Sequence, residues 1–140
     1  DISDTKGSGA AGGLGGGIIA FLNGKLQSGV EKVLDIIGFD KIAEEADLVI
    51  TGEGRIDNQT KFGKVPVGVA KRAKLYNKPV IAIAGSVGDD IDDLYQMGID
   101  LVLDIINKPM NLSYAMENAE KLMIDTGKTI GRLLKLKIHR

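Results

Sequence analysis

The sequence contains no cysteine and no tryptophan, and aromatic residues make up only 4% of its 140 residues. Without cysteine the chain has no disulfide framework and no thiolate chemistry, which favours a cytoplasmic setting. No apolar run approaches the ~20 residues that are needed to span a bilayer. Residues 1–6 also lack an initiator methionine, a positively charged n-region and an apolar h-region. We therefore expect no signal peptide, and a chain that begins inside a longer protein.

Neither sign of charge is in excess, since the chain has 18 basic and 19 acidic residues and a formal net charge of −1. That balance predicts neither nucleic acid nor a membrane surface as a partner. The fractions of apolar residues, 44%, and of charged residues, 26%, are ordinary for a soluble globular protein. A chain of this length is long enough for one domain with a substantial core.

Three short apolar runs predict β-strands near residues 47–51, 80–84 and 101–106. Runs that are apolar throughout are typical of strands buried on both faces, as in parallel sheets covered by helices. Between them, the sequence predicts one crossover helix that begins near Pro66 and a second over residues 89–97. The expected fold class is therefore α/β, a Rossmann-like three-layer arrangement with a parallel sheet.

Helices are also predicted on both sides of this unit. A long carboxyl-terminal helix is expected over residues 112–134, capped by Asn111, because its apolar residues recur at helical spacing. Upstream, helical segments are expected over residues 12–23 and 28–37, and residues 39–46 are expected to lead into the first strand. We expect residues 1–38, a glycine-rich loop with helices, to pack on sequence that is absent here, and residues 39–140 to form the Rossmann-like domain.

The exit of the first predicted strand is the strongest candidate for a functional site. Apolar residues 48–51 run directly into a polar segment, Gly52-Glu53-Gly54-Arg55-Ile56-Asp57-Asn58-Gln59-Thr60. Ligands of open α/β sheets bind beyond the carboxyl ends of the strands, and this segment offers acids, a cation and an amide there. The alternative is a solvated loop that an ion pair between Arg55 and Asp57 merely shapes.

Two further positions could meet an anionic ligand. Lys64 stands just before the helix at Pro66, whose first turn contains no acid, so a cation and the positive end of the helix dipole coincide. Ser86 follows the second strand and is a weaker candidate contact. By contrast, we interpret the acids of residues 89–93 as stabilising charges at a helix start. His139 is expected to be exposed and without a role.

The glycine-rich segment, residues 7–17, formally contains G-x-G-x-x-G. No strand precedes it, which argues against a dinucleotide fingerprint. The segment also lacks the Gly-Lys-Ser/Thr ending of a Walker A loop. Exposed backbone N–H groups at a helix start nevertheless attract phosphate, so Gly9, Gly12 and Gly13 are candidates for nucleotide binding. Close backbone packing between two elements is the alternative.

Several motifs, in order and spacing, resemble the bacterial glycerate kinase family. They are Gly9-Ala10-Ala11-Gly12-Gly13-Leu14-Gly15, residues 47–57 with Gln59-Thr60, Gly63-Lys64-Val65-Pro66-Val67-Gly68-Val69-Ala70, Lys78-Pro79-Val80 and Ala84-Gly85-Ser86. The resemblance is to the carboxyl-terminal part only, which implies a fragment of a two-domain enzyme whose amino-terminal part is the missing partner. It also implies ATP-dependent phosphorylation of D-glycerate with Mg2+.

Phosphoryl transfer requires a placed hydroxyl, cations that offset charge, and a carboxylate that orients the nucleophile or holds metal. Glu53 and Asp57 are the candidates for general base and for metal ligand, in either assignment. Arg55 could bind a carboxylate or phosphate with two hydrogen bonds, and Gln59 and Thr60 could bind glycerate hydroxyls.

Two other functions stay open. One is a non-catalytic Rossmann-like module that binds a nucleotide or an organic anion. The other, weaker, is a magnesium-dependent phosphohydrolase, although no Asp-x-Asp motif ends a strand. The sequence leaves open which glycerate hydroxyl is phosphorylated, and it is compatible with a homo-oligomer.

Overall fold

The structure, a computed structural model, describes residues 4–136, so His139 lies outside the described residues. Its strands are β1 (Val49–Ile56), β2 (Val80–Val87) and β3 (Leu101–Asp104). A 3-10 helix, Asn58–Phe62, follows β1. The α-helices are α1 (Ala10–Leu22), α2 (Gly29–Ile36), α3 (Phe39–Glu45), α4 (Val65–Lys74), α5 (Asp92–Gln96), α6 (Leu112–Glu117) and α7 (Ala119–Leu133).

The three strands form one parallel sheet in the order β1-β2-β3, which confirms the predicted α/β class. The central strand is buried through residues 80–84, as expected for a strand covered on both faces. One core lies between the sheet and helices α2, α4 and α5, and a second lies between the sheet and helices α6 and α7. The sheet is therefore the middle of three layers.

All three strands end at residues that differ from those predicted from the sequence. β1 continues to Ile56 and β2 to Val87, because glycines allow the two backbones to stay paired. A Cβ atom on Gly85 would lie 2.7 Å from the carbonyl oxygen of Gly54, so no larger residue fits there. β3 ends earlier, at Asp104, whose carboxylate accepts a hydrogen bond of 3.1 Å from the backbone N–H of Ile106 and turns the chain.

The carboxyl-terminal helix is confirmed in α7, but it does not extend over the whole predicted range. A break at Asn118 separates α6 from α7, and the Asn118 side chain donates a hydrogen bond of 2.9 Å to the carbonyl of Tyr114. Such local side-chain bonds compete with helix continuation. The predicted cap is present, since the Asn111 side chain accepts from the N–H of Tyr114 at 2.9 Å. Leu112 and Met116 are exposed, although they follow the apolar spacing of the predicted helix.

Arg72, on α4, is bound by acids of two other helices. Its guanidinium donates to Asp40 on α3 at 2.6 Å, and to Glu31 and Asp35 on α2 at 2.9 and 2.7 Å. The hydrogen bond from Arg72 outweighs burial and lowers the pKa of Asp40 below its ordinary value. One arginine therefore joins α2 and α3 to α4.

Within residues 4–136, no helix has the length and apolar composition that a membrane crossing requires.

We expect Gly85→Ala to lower the free energy of unfolding by about 1–3 kcal/mol, because the new methyl group overlaps a neighbouring strand's carbonyl. Gly54→Ala is the matched control, since a Cβ there meets no atom within 4 Å. Chemical denaturation of both variants measures the difference. Equal midpoints would contradict the inferred close approach of β1 and β2.

The Asp40–Arg72 interaction predicts a specific acid sensitivity. The pKa of Asp40 in the folded chain lies below its unfolded value of 3.8, so its stabilising contribution is fully present above that value. The contribution is lost as the pH falls from 3.8 through the folded pKa. Asp40→Asn should therefore flatten the acid side of the curve of unfolding free energy against pH. An unchanged curve in denaturation experiments would argue against the pair.

Candidate functional site

Asp57 organises the chain directly after β1. One carboxylate oxygen accepts from Arg55 Nε at 3.0 Å, and the other accepts from the backbone N–H of Gln59 at 3.0 Å. The backbone N–H of Asp57 donates to Thr60 Oγ1 at 3.2 Å, and Thr60 is fully buried. These reciprocal bonds form a capping box at the start of the 3-10 helix. The ion pair that shapes this segment is thus present, and it positions Asp57.

The environment of Asp57 favours its charged form. Burial pushes the pKa of its carboxyl upward, but the N–H of Gln59, the guanidinium of Arg55 and the charge of Lys64 together hold that pKa below the ordinary value. Asp57 is therefore an ionised hydrogen-bond acceptor at neutral pH.

Glu53 and Lys64 form a second pair close to this one. Glu53 lies within β1, and one of its carboxylate oxygens is 3.8 Å from Lys64 Nζ. The other oxygen is buried and has no hydrogen-bond partner among the described residues. A buried carboxylate oxygen without a partner is costly, so it marks a position where a ligand group would be stabilising.

Lys64 also occupies the N-cap position of α4. Pro66 lies in the first turn of this helix, no acid occurs there, and the Lys64 side chain makes no capping bond. The positive end of the helix dipole therefore lies next to a lysine, an arrangement that favours an anion.

The carboxyl end of β2 lies directly beside the carboxyl end of β1. The sheet register pairs Arg55 with Ser86, so the two residues lie side by side. Beyond the strand, the N–H of Gly88 donates to the carbonyl of Ile56 at 2.8 Å. A Cβ on Gly88 would lie 3.0 Å from the Cβ of Asp57. Gly88 was not among the predicted site residues, although a glycine directly after a strand is a signal of such close approach.

A salt bridge of 2.8 Å between Lys61 and Asp93 ties the 3-10 helix to α5. Neither residue was predicted to form this contact, because 32 positions separate them in the sequence. Asp93 thus neutralises a lysine beside the site in addition to favouring the start of its own helix.

The predicted phosphate-binding glycines lie at the start of α1. Ala11, Gly12 and Gly13 have φ values of 51°, 67° and 92°, so the regular part of the helix begins after them. Next to them is an open groove of about 330 Å³, lined by Ser8, Gly9, Gly13, Gly16, Gly17, Ala20 and Phe21. Within the described residues α1 has no extensive contact with β1, the 3-10 helix or α4. The glycines therefore form a feature separate from the strand exits.

The described residues offer few side chains that could bind a metal ion together. Across residues 4–136, no three His, Cys, Asp or Glu side chains are grouped so that they could hold a metal ion. Any cation at the strand exits would have at most Glu53 and Asp57 as carboxylate ligands from this cluster.

The chain matches the Glycerate kinase family over residues 1–135. It belongs to that family. A solved structure of a candidate glycerate kinase 2 from Salmonella typhimurium LT2 covers 92% of the chain at 45% identity, with a TM-score of 0.68. The chain accounts for 33% of that protein.

Curated relatives agree with this assignment. The chain is 51% identical over 136 residues to the glycerate kinase of Bacillus cereus (strain ATCC 10987 / NRS 248) and 47% identical over 119 residues to the glycerate 2-kinase of Escherichia coli (strain K12). These matches cover 97% and 85% of the chain, but only 36% and 31% of the relatives. The chain thus spans about a third of the length of the curated relatives that it matches.

The capping box supplies a test of how the site is supported. Thr60→Val keeps the shape of the buried side chain but leaves the N–H of Asp57 without its acceptor, so we expect a loss of about 1–3 kcal/mol in unfolding free energy. Thr129→Val is the control, since its hydroxyl bonds to the carbonyl of Asp125 on an exposed helix face. Chemical denaturation compares them, and equal losses would contradict the assigned role of Thr60.

Proposed function

We propose that this chain is the carboxyl-terminal part of a glycerate kinase that transfers the γ-phosphoryl group of ATP to a hydroxyl of D-glycerate. The observation that carries the proposal is the family match over residues 1–135, together with relatives that bear the glycerate kinase name. The strand-exit cluster supports it, because cations, acids and a helix start meet at the edge of the sheet where α/β proteins bind ligands.

Arg55 is suited to an anionic substrate group. Only its Nε is engaged by Asp57, and its terminal nitrogens make no hydrogen bond to the described residues. The side chain is 65% exposed, so these nitrogens can approach a ligand. A guanidinium held by a carboxylate on one side is oriented for two-pronged binding of a carboxylate or phosphate on the other.

Lys64 and the start of α4 provide the second positive element. Its ammonium lies near Glu53 and contributes charge at Asp57, so it stands between the two acids. We assign to Lys64 the binding of a negatively charged substrate or phosphoryl oxygen, supported by the dipole of a ten-residue helix.

The surroundings of Glu53 and Asp57 differ, so we propose different roles for the two carboxylates. A lowered pKa makes Asp57 a weak base and a good ligand for cations, whereas Glu53 keeps an oxygen without a protein partner. We therefore propose that Glu53 accepts a hydrogen bond from the reacting hydroxyl and orients it. Asp57 would remain an ionised acceptor.

Magnesium fits this cluster only with substrate ligands. The ion commonly takes one or two carboxylates, phosphate oxygens and water, and the charged Asp57 would supply the protein part, since the unpartnered oxygen of Glu53 is assigned to the reacting hydroxyl. When bound, the ion supplies positive charge that offsets the negative charge of the phosphoryl group.

The remaining predicted residues receive different roles. Gln59 is exposed at the first turn of the 3-10 helix and Ser86 adjoins Arg55, so both are proposed as substrate contacts. For Thr60 we propose a supporting role, because it is buried and engaged by the N–H of Asp57. Gly9, Gly12 and Gly13 are proposed to contact nucleotide phosphate. No carboxylate occurs in residues 5–23, which supports that proposal.

Catalysis by the chain alone is not expected. Since the chain covers about a third of its relatives' length, we propose that the remaining sequence completes the site and acts as its partner. The cytoplasmic setting stays a prediction from composition.

The test is ADP release by the complete kinase polypeptide in the presence of D-glycerate, ATP and Mg2+. Glu53→Gln and Asp57→Asn should each lower kcat by about 100-fold or more, because each removes a carboxylate charge next to the reacting group. Asp125→Asn is the control, since its salt bridge with Lys128 lies within α7. The 140-residue chain assayed alone should show negligible turnover.

Wild-type rates in both site variants, with the fold intact, would remove these acids from the mechanism. Binding of ATP or glycerate without turnover by the complete polypeptide would instead favour the non-catalytic binding module.

A further inference from the structure

Helix α1 has an unusual composition for a helix of a water-exposed protein. Its regular part, residues 14–22, consists only of glycine and apolar residues, so it has no polar face at all. A helix that is apolar all round is normally buried on every side. α1 is therefore expected to have neighbours over most of its surface.

The described residues cover only one side of this helix. Gly15 and Gly16 are buried, and Gly15 packs against the carbonyl of Gly7 and the side chain of Leu26. Ile18 and Ile19 are half-buried, but Leu14 is 61% exposed, Phe21 87% and Leu22 75%. Within residues 4–136, α1 packs extensively against no other helix or strand. Three large apolar side chains are therefore left open on α1.

The next helix behaves differently. Leu34 of α2 is buried in the core that α2 forms with the sheet. α2 also contains two of the three acidic residues that bind Arg72. Val30 of α2 packs directly on Gly68 of α4. α2 is therefore part of the α/β unit, and the change from packed to open structure falls between the two helices, in residues 23–28.

We propose that the open face of α1, formed by Leu14, Phe21 and Leu22 with the adjoining groove at Gly17 and Ala20, docks on the part of the glycerate kinase polypeptide that lies outside this chain. The inference rests on the family membership and not on the proposed site. The chain matches the Bacillus cereus relative over 97% of its own length but only 36% of the relative's, so nearly two thirds of such a protein is unaccounted for.

A segment of the same polypeptide is favoured over a separate partner for two reasons. It is present at high effective concentration because it is covalently linked. The open face also carries no charge, and such faces are typical of permanent interfaces, which resemble a core cut in half, rather than of transient ones. α1 would then be an element of the neighbouring structural unit, connected to the α/β unit by residues 23–28.

Hydroxyl-radical footprinting of the complete polypeptide tests this docking through side-chain exposure, and it does not depend on kinase activity. Phe21 and Leu22 should oxidise as slowly as the buried Leu34, whereas Leu112, which is 75% exposed on α6, should oxidise much faster. The slow oxidation of Phe21 should be independent of protein concentration. Rapid oxidation of Phe21 would overturn the proposal, and protection that increases with protein concentration would assign the surface to a second copy instead.

A pair of variants provides the stability readout in the same complete polypeptide. Phe21→Asp should lower the denaturation midpoint and raise the oxidation of Leu14 and Leu22, because a charge cannot stay in a dry interface. Leu112→Asp, at a comparably exposed apolar position, should leave the midpoint near that of the wild type. Equal midpoints for both variants would overturn the proposal.

Discussion

The close approach of β1 and β2 at their carboxyl ends determines where the site residues lie. Glycines make that approach possible, since side chains at Gly52, Gly85 or Gly88 would meet atoms of the neighbouring strand or turn. Pairing therefore continues past the apolar parts of both strands and carries Arg55 to a position beside Ser86. Asp57 emerges only after this paired segment, against Gly88, so the turn and both strand ends form one rigid support.

On this support, two acids and two cations hold one another in place. Arg55 and Asp57 form one pair, Lys64 and Glu53 a looser one, and the charge of Lys64 also acts on Asp57. Under the proposed function, such a prearranged cluster would need little reorganisation when an anion binds, and that is the condition for electrostatic stabilisation of phosphoryl transfer. The position of Lys64 depends in turn on α4, which Arg72 fastens to α2 and α3.

The sequence predicted local features better than long-range ones. The strands were recognisable because burial on both faces leaves apolar runs, but their ends were not, since a glycine can signal either a loop or close backbone packing. Glu53 and Arg55 were consequently assigned to a loop and lie in β1. The role of Arg72 was missed because its acidic partners are 32 to 41 positions away. The break at Asn118 escaped notice because the apolar periodicity continues through it. The candidate site residues that are close in sequence stay predictions, whereas Gly88 and the Lys61–Asp93 pair could not be predicted because they depend on the fold.

The most direct test of the central claim is a crystal structure of the complete polypeptide with D-glycerate, a non-hydrolysable ATP analogue and Mg2+. The account predicts that oxygen atoms of the ligands lie within hydrogen-bond distance of the Arg55 guanidinium and of Lys64, with the previously unpartnered oxygen of Glu53 engaged. Ligands bound elsewhere, with these side chains unchanged and facing solvent, would contradict it.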